Sequence, residues 1–247
     1  MAPYERFSVK PFKSTNFTES LFQNNKHGYE SLFDIVGQNN TYLTVRNSTF
    51  KRNFTFRKGA IMFTQFQRGF IFLHNCEFTQ NTAVYGAVLT AEFEARIYTY
   101  DCNFYENFGF FAAVSWTGMD GGMYHQGGSM YNNYALASLI SEFHDATWSS
   151  FFIGVHIYSN KQLTVQELWN EYWWCDILCF IDPEYLEYYG STIDYHLALN
   201  RIQSSLFKTD VVYIELKHVI IEDAIGILTS LFCDFDLFNV TIWNSVI

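Results

Sequence analysis

Residues 75–81 read Asn75-Cys76-Glu77-Phe78-Thr79-Gln80-Asn81, and Gly86-Ala87-Val88-Leu89 follows five residues later. The same pattern returns as Asp101-Cys102-Asn103-Phe104-Tyr105-Glu106-Asn107 before Ala112-Ala113-Val114. Upstream it occurs as Asn47-Ser48-Thr49-Phe50-Lys51-Arg52-Asn53 before Gly59-Ala60-Ile61-Met62. Shorter copies are Phe22-Gln23-Asn24-Asn25, Met130-Tyr131-Asn132-Asn133 and Ile157-Tyr158-Ser159-Asn160. The apolar anchor therefore falls at 22, 50, 78, 104, 130 and 157, with spacings of 28, 28, 26, 26 and 27. An Asn follows every one of these anchors by three residues, far more regularly than random placement allows. Self-similarity at such a period signals a repeat architecture.

The period and its contents select the repeat fold. A two-helix repeat shows apolar residues at 3.6-residue spacing. These units instead hold short alternating runs such as Gly69-Phe70-Ile71-Phe72-Leu73 and Arg96-Ile97-Tyr98-Thr99-Tyr100. A propeller blade needs about 40 residues or more per unit. A unit of 26–28 residues fits one coil of a parallel β-helix, whose coils stack at about 4.8 Å. The fold class expected is all-β: a right-handed parallel β-helix solenoid of about nine coils in 247 residues.

Counting from the anchor sketches one coil. Position −7 holds Leu43, Ile71 and Ile97, position −5 holds Val45, Leu73 and Thr99, and position −2 holds Ser48, Cys76, Cys102 and Gly128. Alternation fails between −5 and −2, which places a corner near Asn47, Asn75 and Asp101. Phe50, Phe78 and Phe104 should stack inside. Asn25, Asn53, Asn81, Asn107, Asn133 and Asn160 should form a ladder at the next bend, each amide donating to one coil and accepting from another. Gly59 and Gly86 free the chain before the next strand.

The F-x-x-N motif followed by G-A-[IV] resembles the repeats of chlamydial polymorphic outer-membrane proteins and of related pectin-lyase-like β-helix proteins. Residues 22 to about 160 carry the resemblance, with the usual double Gly degraded to Lys58-Gly59, Tyr85-Gly86 and Ala112-Ala113. It implies a right-handed β-helix on a surface or secreted protein. It does not imply catalysis, because such repeats are grafted into many proteins.

One domain over 1–247 is expected, with regular repeats in 22–160, an irregular aromatic and acidic insertion in 161–190, and resumed coils in 191–247. The last stretch, Asn239-Val240-Thr241-Ile242, copies the corner of Asn47-Ser48-Thr49-Phe50. Neither end reads as a polar cap, which solenoids need. Two readings stay open: further coils of a longer chain, or like subunits meeting end to end.

Composition bounds the partners. The chain carries 15 basic and 25 acidic residues, net −10, the wrong sign for a general nucleic-acid or anionic-membrane binder. The apolar stretch Ala224 to Cys233 is about half the ~20 residues a membrane helix needs, so no direct membrane insertion is expected. No cofactor motif or metal-ligand spacing is evident, Cys175 and Cys179 lacking a second pair. The scattered histidines, His74 and His125 among them, read as surface or corner residues.

Several residues carry specific expectations. Cys76 and Cys102 share one rung position in neighbouring coils, at a separation that a disulfide tolerates; the alternative is a ladder of small inward residues, since Ser48 and Gly128 fill the same slot. Five N-glycosylation sequons occur, at Asn16, Asn39, Asn47, Asn53 and Asn239. Asn39, Asn47 and Asn239 are the expected occupied sites, Asn16 is a further candidate, and Asn53 belongs to the inward ladder. Trp169, Trp173, Trp174 and Tyr188 suit either sugar stacking or cover for the solenoid. The function expected is an extracellular or cell-surface structural or adhesive module. The alternatives are a polysaccharide lyase or hydrolase and a carbohydrate-binding module, for both of which carbohydrate is the partner.

Overall fold

A computed structural model of the chain describes residues 14–27, 31–36, 42–55, 59, 62–65, 70–83, 86–109, 112–118, 120–135, 138–144, 150–162, 205–224 and 228–245. The described residues form an all-β parallel solenoid. Every strand pair is parallel, and each strand lies against its counterpart one coil away.

Each regular coil has four sides. The first face is built from five-residue strands such as Tyr42–Arg46, Phe70–His74, Arg96–Tyr100 and Gly122–Gln126. Their alternating burial puts Leu43, Val45, Ile71, Leu73, Ile97 and Thr99 inside. The second face is built from three-residue strands centred on the anchors, and Phe22, Phe50, Phe78, Phe104, Met130, Ile157, Ile221 and Ile242 lie in one register column. Two-residue strands such as Phe54–Thr55 and Thr82–Ala83 make the third face. Strands such as Leu89–Glu92 and Ser115–Gly118 make the fourth.

The corners explain why the strands stop. Glu19, Asn47, Asn75, Asp101, Gly127, Gly154, His218 and Asn239 all have φ between 48° and 65°, and each lies three residues before an anchor. Two residues after the anchors, Asn24, Arg52, Gln80, Glu106, Asn132, Ser159, Asp223 and Asn244 have φ between 44° and 57°. A single left-handed residue turns the chain out of the strand, and Asn, Asp and Gly tolerate it best. Most of these turned N–H groups donate to the next coil, as with Asn47 N to His74 O at 2.9 Å and Asn24 N to Lys51 O at 3.0 Å. The corner expected near Asn47, Asn75 and Asp101 stands where the spacing put it.

The core is one apolar column. Phe50 stacks on Phe78 at 4.8 Å and Phe78 on Phe104 at 4.7 Å, with ring planes within 7°, and all three are fully buried.

The coil count is corrected. The second face stacks eight strands among the described residues, not about nine. A constant period cannot be extended past Ile157, because its register partner is Ile221 and the next is Ile242. Those advances are 64 and 21 residues. The last two rungs are also built differently. Ser205–Lys217 pairs with Ser138–His144 at its start and with Ser150–Ile153 at its end, so one long strand runs through the fourth and first faces without a corner. Leu228–Phe238 lies along it. The insertion expected over 161–190 falls, beyond the strand Lys161–Gln162, outside the described residues.

Candidate functional site

The most developed polar arrangement is the asparagine ladder. Asn81 shows its full bonding: its backbone N and Nδ2 donate to Asn107 Oδ1, both at 3.0 Å, and Nδ2 donates its second hydrogen to Phe50 O at 3.0 Å. Its Oδ1 accepts from the backbone N and Nδ2 of Asn53, at 3.1 and 2.9 Å. The pattern runs from Asn25 through Asn53, Asn81, Asn107 and Asn133 to Asn160. An amide has two donors and two acceptor sites, and all four are used. The six residues named from sequence are the six the structure brings together.

A second ladder runs two residues after the first-face strands. Ser48 Oγ donates to Arg46 O at 2.7 Å and accepts from Ser20 N at 3.1 Å. Sulfur takes the same place one coil on: Cys76 Sγ lies 3.3 Å from His74 O, and Cys76 N lies 3.5 Å from Cys102 Sγ. Cys76 and Cys102 are therefore free buried thiols, and the expected disulfide is corrected in favour of the small-residue ladder. Each thiol also lies within hydrogen-bond reach of carbonyls of its own and the preceding coil. The hydrogen bond with Cys76 and burial together push the Cys102 thiol up from its ordinary value.

His125 corrects the surface reading of the histidines. It is completely buried, 2.8 Å from Thr99 Oγ1 through Nδ1, with Phe152 stacked on it at 4.9 Å. Its Nε2 has no hydrogen-bond partner among the described residues. Burial pushes its pKa down to about 3. The signal was present in the sequence: extending the −5 column of Val45, Leu73 and Thr99 by one coil lands on His125. His74 agrees better with the corner reading, half-buried and stacked on Tyr100 at 4.7 Å.

Aromatic rows cover the outside of two faces. On the second face Tyr105, Tyr131 and Tyr158 stack at 5.1 and 4.9 Å with planes 8° and 3° apart, so each ring covers its neighbour's face. On the first face the row starts the same way, Phe72 on Tyr98 at 5.1 Å and 15°. It then opens: Tyr98 to Tyr124 is 43°, Tyr124 to Phe151 is 50° and Phe151 to Tyr213 is 64°. Beyond it, Glu215 and Asp236 occupy adjacent rungs in register. The Tyr213 hydroxyl donates to Asp236 Oδ2 at 2.7 Å and lies 3.4 Å from Glu215 Oε2. The bond to Asp236 holds the Tyr213 pKa up at about 12. Sequence reasoning missed this face although it quoted its strands, because the outward residues of an alternating run were read only as evidence of alternation.

The remaining expected sites divide by placement. Asn16, Asn47 and Asn239 are exposed, the last two at left-handed corners. Asn53 is only 1% exposed. Asn39, Trp169, Trp173, Trp174, Tyr188, Cys175 and Cys179 lie outside the described residues. Among the described residues no group of three His, Cys, Asp or Glu side chains is arranged to hold a metal ion.

Fold and site together define a parallel β-solenoid with internal amide, thiol and aromatic ladders. Comparison with protein-family models, with curated proteins and with solved structures finds no match to this chain.

Proposed function

We propose that the chain is a structural or adhesive module of an extracellular or cell-surface protein, built on repeats like those of pectin-lyase-like and chlamydial polymorphic outer-membrane β-helices. One observation carries the reading: the amides of the Asn25–Asn160 ladder and the tyrosines of the second face are spent on neighbouring rungs. The amide ladder saturates its own donors and acceptors, and the Tyr105–Tyr131–Tyr158 row turns its ring faces inward on itself. Such a design favours a stiff rod that displays loops and sequons rather than a site that binds and turns over a substrate.

A second reading is supported by the first face, where the rings beyond Tyr98 splay apart next to Glu215 and Asp236. Splayed aromatics beside carboxylates suit the C–H faces and hydroxyls of a sugar. A panel of neutral and acidic polysaccharides separates the readings. Retention without cleavage supports a carbohydrate-binding module, and new reducing ends or unsaturated products support an enzyme. Neither response, from a chain that melts cooperatively as a β-protein, supports the structural module.

A further inference from the structure

We propose that Tyr105, Tyr131 and Tyr158 form an oxidative cross-linking site, at which a haem peroxidase with hydrogen peroxide couples neighbouring rings into dityrosine. The site goes beyond the structural reading above, which stands whether or not the rings couple.

Register and ring geometry bring the phenols together. Tyr105 pairs with Tyr131, and Tyr131 with Tyr158, in the parallel ladder of the second face. The rings stack at 5.1 and 4.9 Å with planes 8° and 3° apart. In-register side chains with parallel planes set each carbon ortho to a hydroxyl over its counterpart, about one strand spacing away. All three residues are half-buried. Tyr131 has a ring on each of its faces, so the solvent it still meets lies along its edge, where the ortho carbons are. The tyrosine pairs of the first face are worse placed. Tyr98 and Tyr124 are 5.8 Å apart at 43°, and Tyr100 and Tyr124 are 6.0 Å apart at 48°.

The coupling is an oxidation that closes with peroxide alone. Each phenol gives up one electron and one proton, and hydrogen peroxide takes both pairs and leaves as two waters. The two phenoxyl radicals join through one ortho carbon of each ring, forming one C–C bond. The hydrogen on each joined carbon then moves to the ring oxygen, which restores both phenols. The net change is the loss of two hydrogens per link. Radicals held in contact by one fold meet without diffusing together, the advantage of positioned reactants over free ones. Tyr131 has a partner on each side and two ortho carbons, so all three rings can join in series. The links tie the rungs of Asn103–Tyr105, Ser129–Tyr131 and His156–Tyr158 covalently along the outside of the solenoid.

The test treats the full chain, at low concentration, with a haem peroxidase and hydrogen peroxide. Dityrosine fluorescence, a denaturing gel and mass spectrometry of the peptides read the result. Expected are linked peptides that join Tyr131 to Tyr105 or to Tyr158 within one chain, each lighter by two hydrogens than its separate parts. Tyr131→Phe should abolish these links. Tyr105→Phe and Tyr158→Phe should each keep the one remaining pair, so the assignment stays testable if one variant fails to fold, which circular dichroism establishes. Absence of dityrosine in the folded parent overturns the proposal. So do links that form mainly between chains or through tyrosines off this row, and so does a folded Tyr131→Phe chain that links to the parent's extent.

Discussion

The amide of Asn81 reaches Phe50 O on one side at 3.0 Å and Asn107 Oδ1 on the other at 3.0 Å, so one side chain ties three consecutive coils. Asn81→Leu strands Phe50 O and both Asn53 donors in a dry interior. The expected loss is about 1–3 kcal/mol for each buried group left unsatisfied, partly relieved by relaxation. Asn132→Gly, at the adjacent corner with φ 50°, should be nearly neutral because glycine accepts that conformation. Equal melting temperatures for parent and Asn81→Leu would overturn the ladder's role.

His125 should make the solenoid sensitive to acid. Its folded pKa is depressed from 6.5 to about 3, so below pH 6.5 the unfolded chain binds a proton that the folded chain refuses. Stability is fully present above the unfolded pKa and falls as pH drops toward about 3, by about 1.4 kcal/mol per unit inside that window. His125→Leu, which copies Leu73 in the same column, should remove that part of the slope. Urea unfolding at pH 7.5, 5.5 and 4.5 measures it. Identical slopes for the two proteins would rule His125 out.

Two corner glycines should respond differently to alanine. A Cβ on Gly128, at φ 74°, would lie 2.0 Å from Cys102 O, whereas one on Gly154, at φ 64°, meets nothing within 4 Å. Gly154→Ala pays only the left-handed strain, about 1–2 kcal/mol. Gly128→Ala adds a backbone collision, and its melting temperature should be clearly the lower of the two. The reverse order would contradict the packing at Cys102.

Glycan occupancy should follow exposure. In a secretory host, Asn47 and Asn239 should carry sugar, and Asn16 is open to it. Asn53, 1% exposed and bonded through Oδ1 and Nδ2, should not. Glycopeptide mass spectrometry reads this directly, and sugar on Asn53 in folded protein would be incompatible with the ladder.

The parts of this fold legible in the sequence are those where like must stack on like. Phe on Phe and Asn on Asn repeat down a column because each side chain's partner is its own counterpart, so the period prints itself as F-x-x-N. The corner before the anchor was legible through Asn47, Asn75 and Asp101. The corner after it was legible only through the Asn three residues past each anchor, because Arg52, Gln80 and Glu106, which hold the left-handed turn itself, are ordinary polar residues. They are tied instead across coils, Arg52 Nε to Gln80 Oε1 at 2.9 Å and Gln80 Nε2 to Glu106 Oε2 at 2.8 Å. The long strand Ser205–Lys217 was illegible for a different reason: it merges two faces, and the missing corner leaves no punctuation to read. The splayed aromatic face was hidden because its geometry depends on how outward rings tilt, which the residue types alone do not determine.

The amide ladder also has a boundary. Three residues past Ile157 stands Asn160, but three residues past its register partner Ile221 stands Ala224. A stack joined only through nearest neighbours behaves like a one-dimensional chain of couplings, and this coupling lacks its amide. The rod is then mechanically two segments, a six-rung block laced by asparagine and a two-rung block zipped by Ser205–Lys217 against Leu228–Phe238. Pulled from its far end, it should part first at that seam, in one sudden lengthening, before the laced coils pay out.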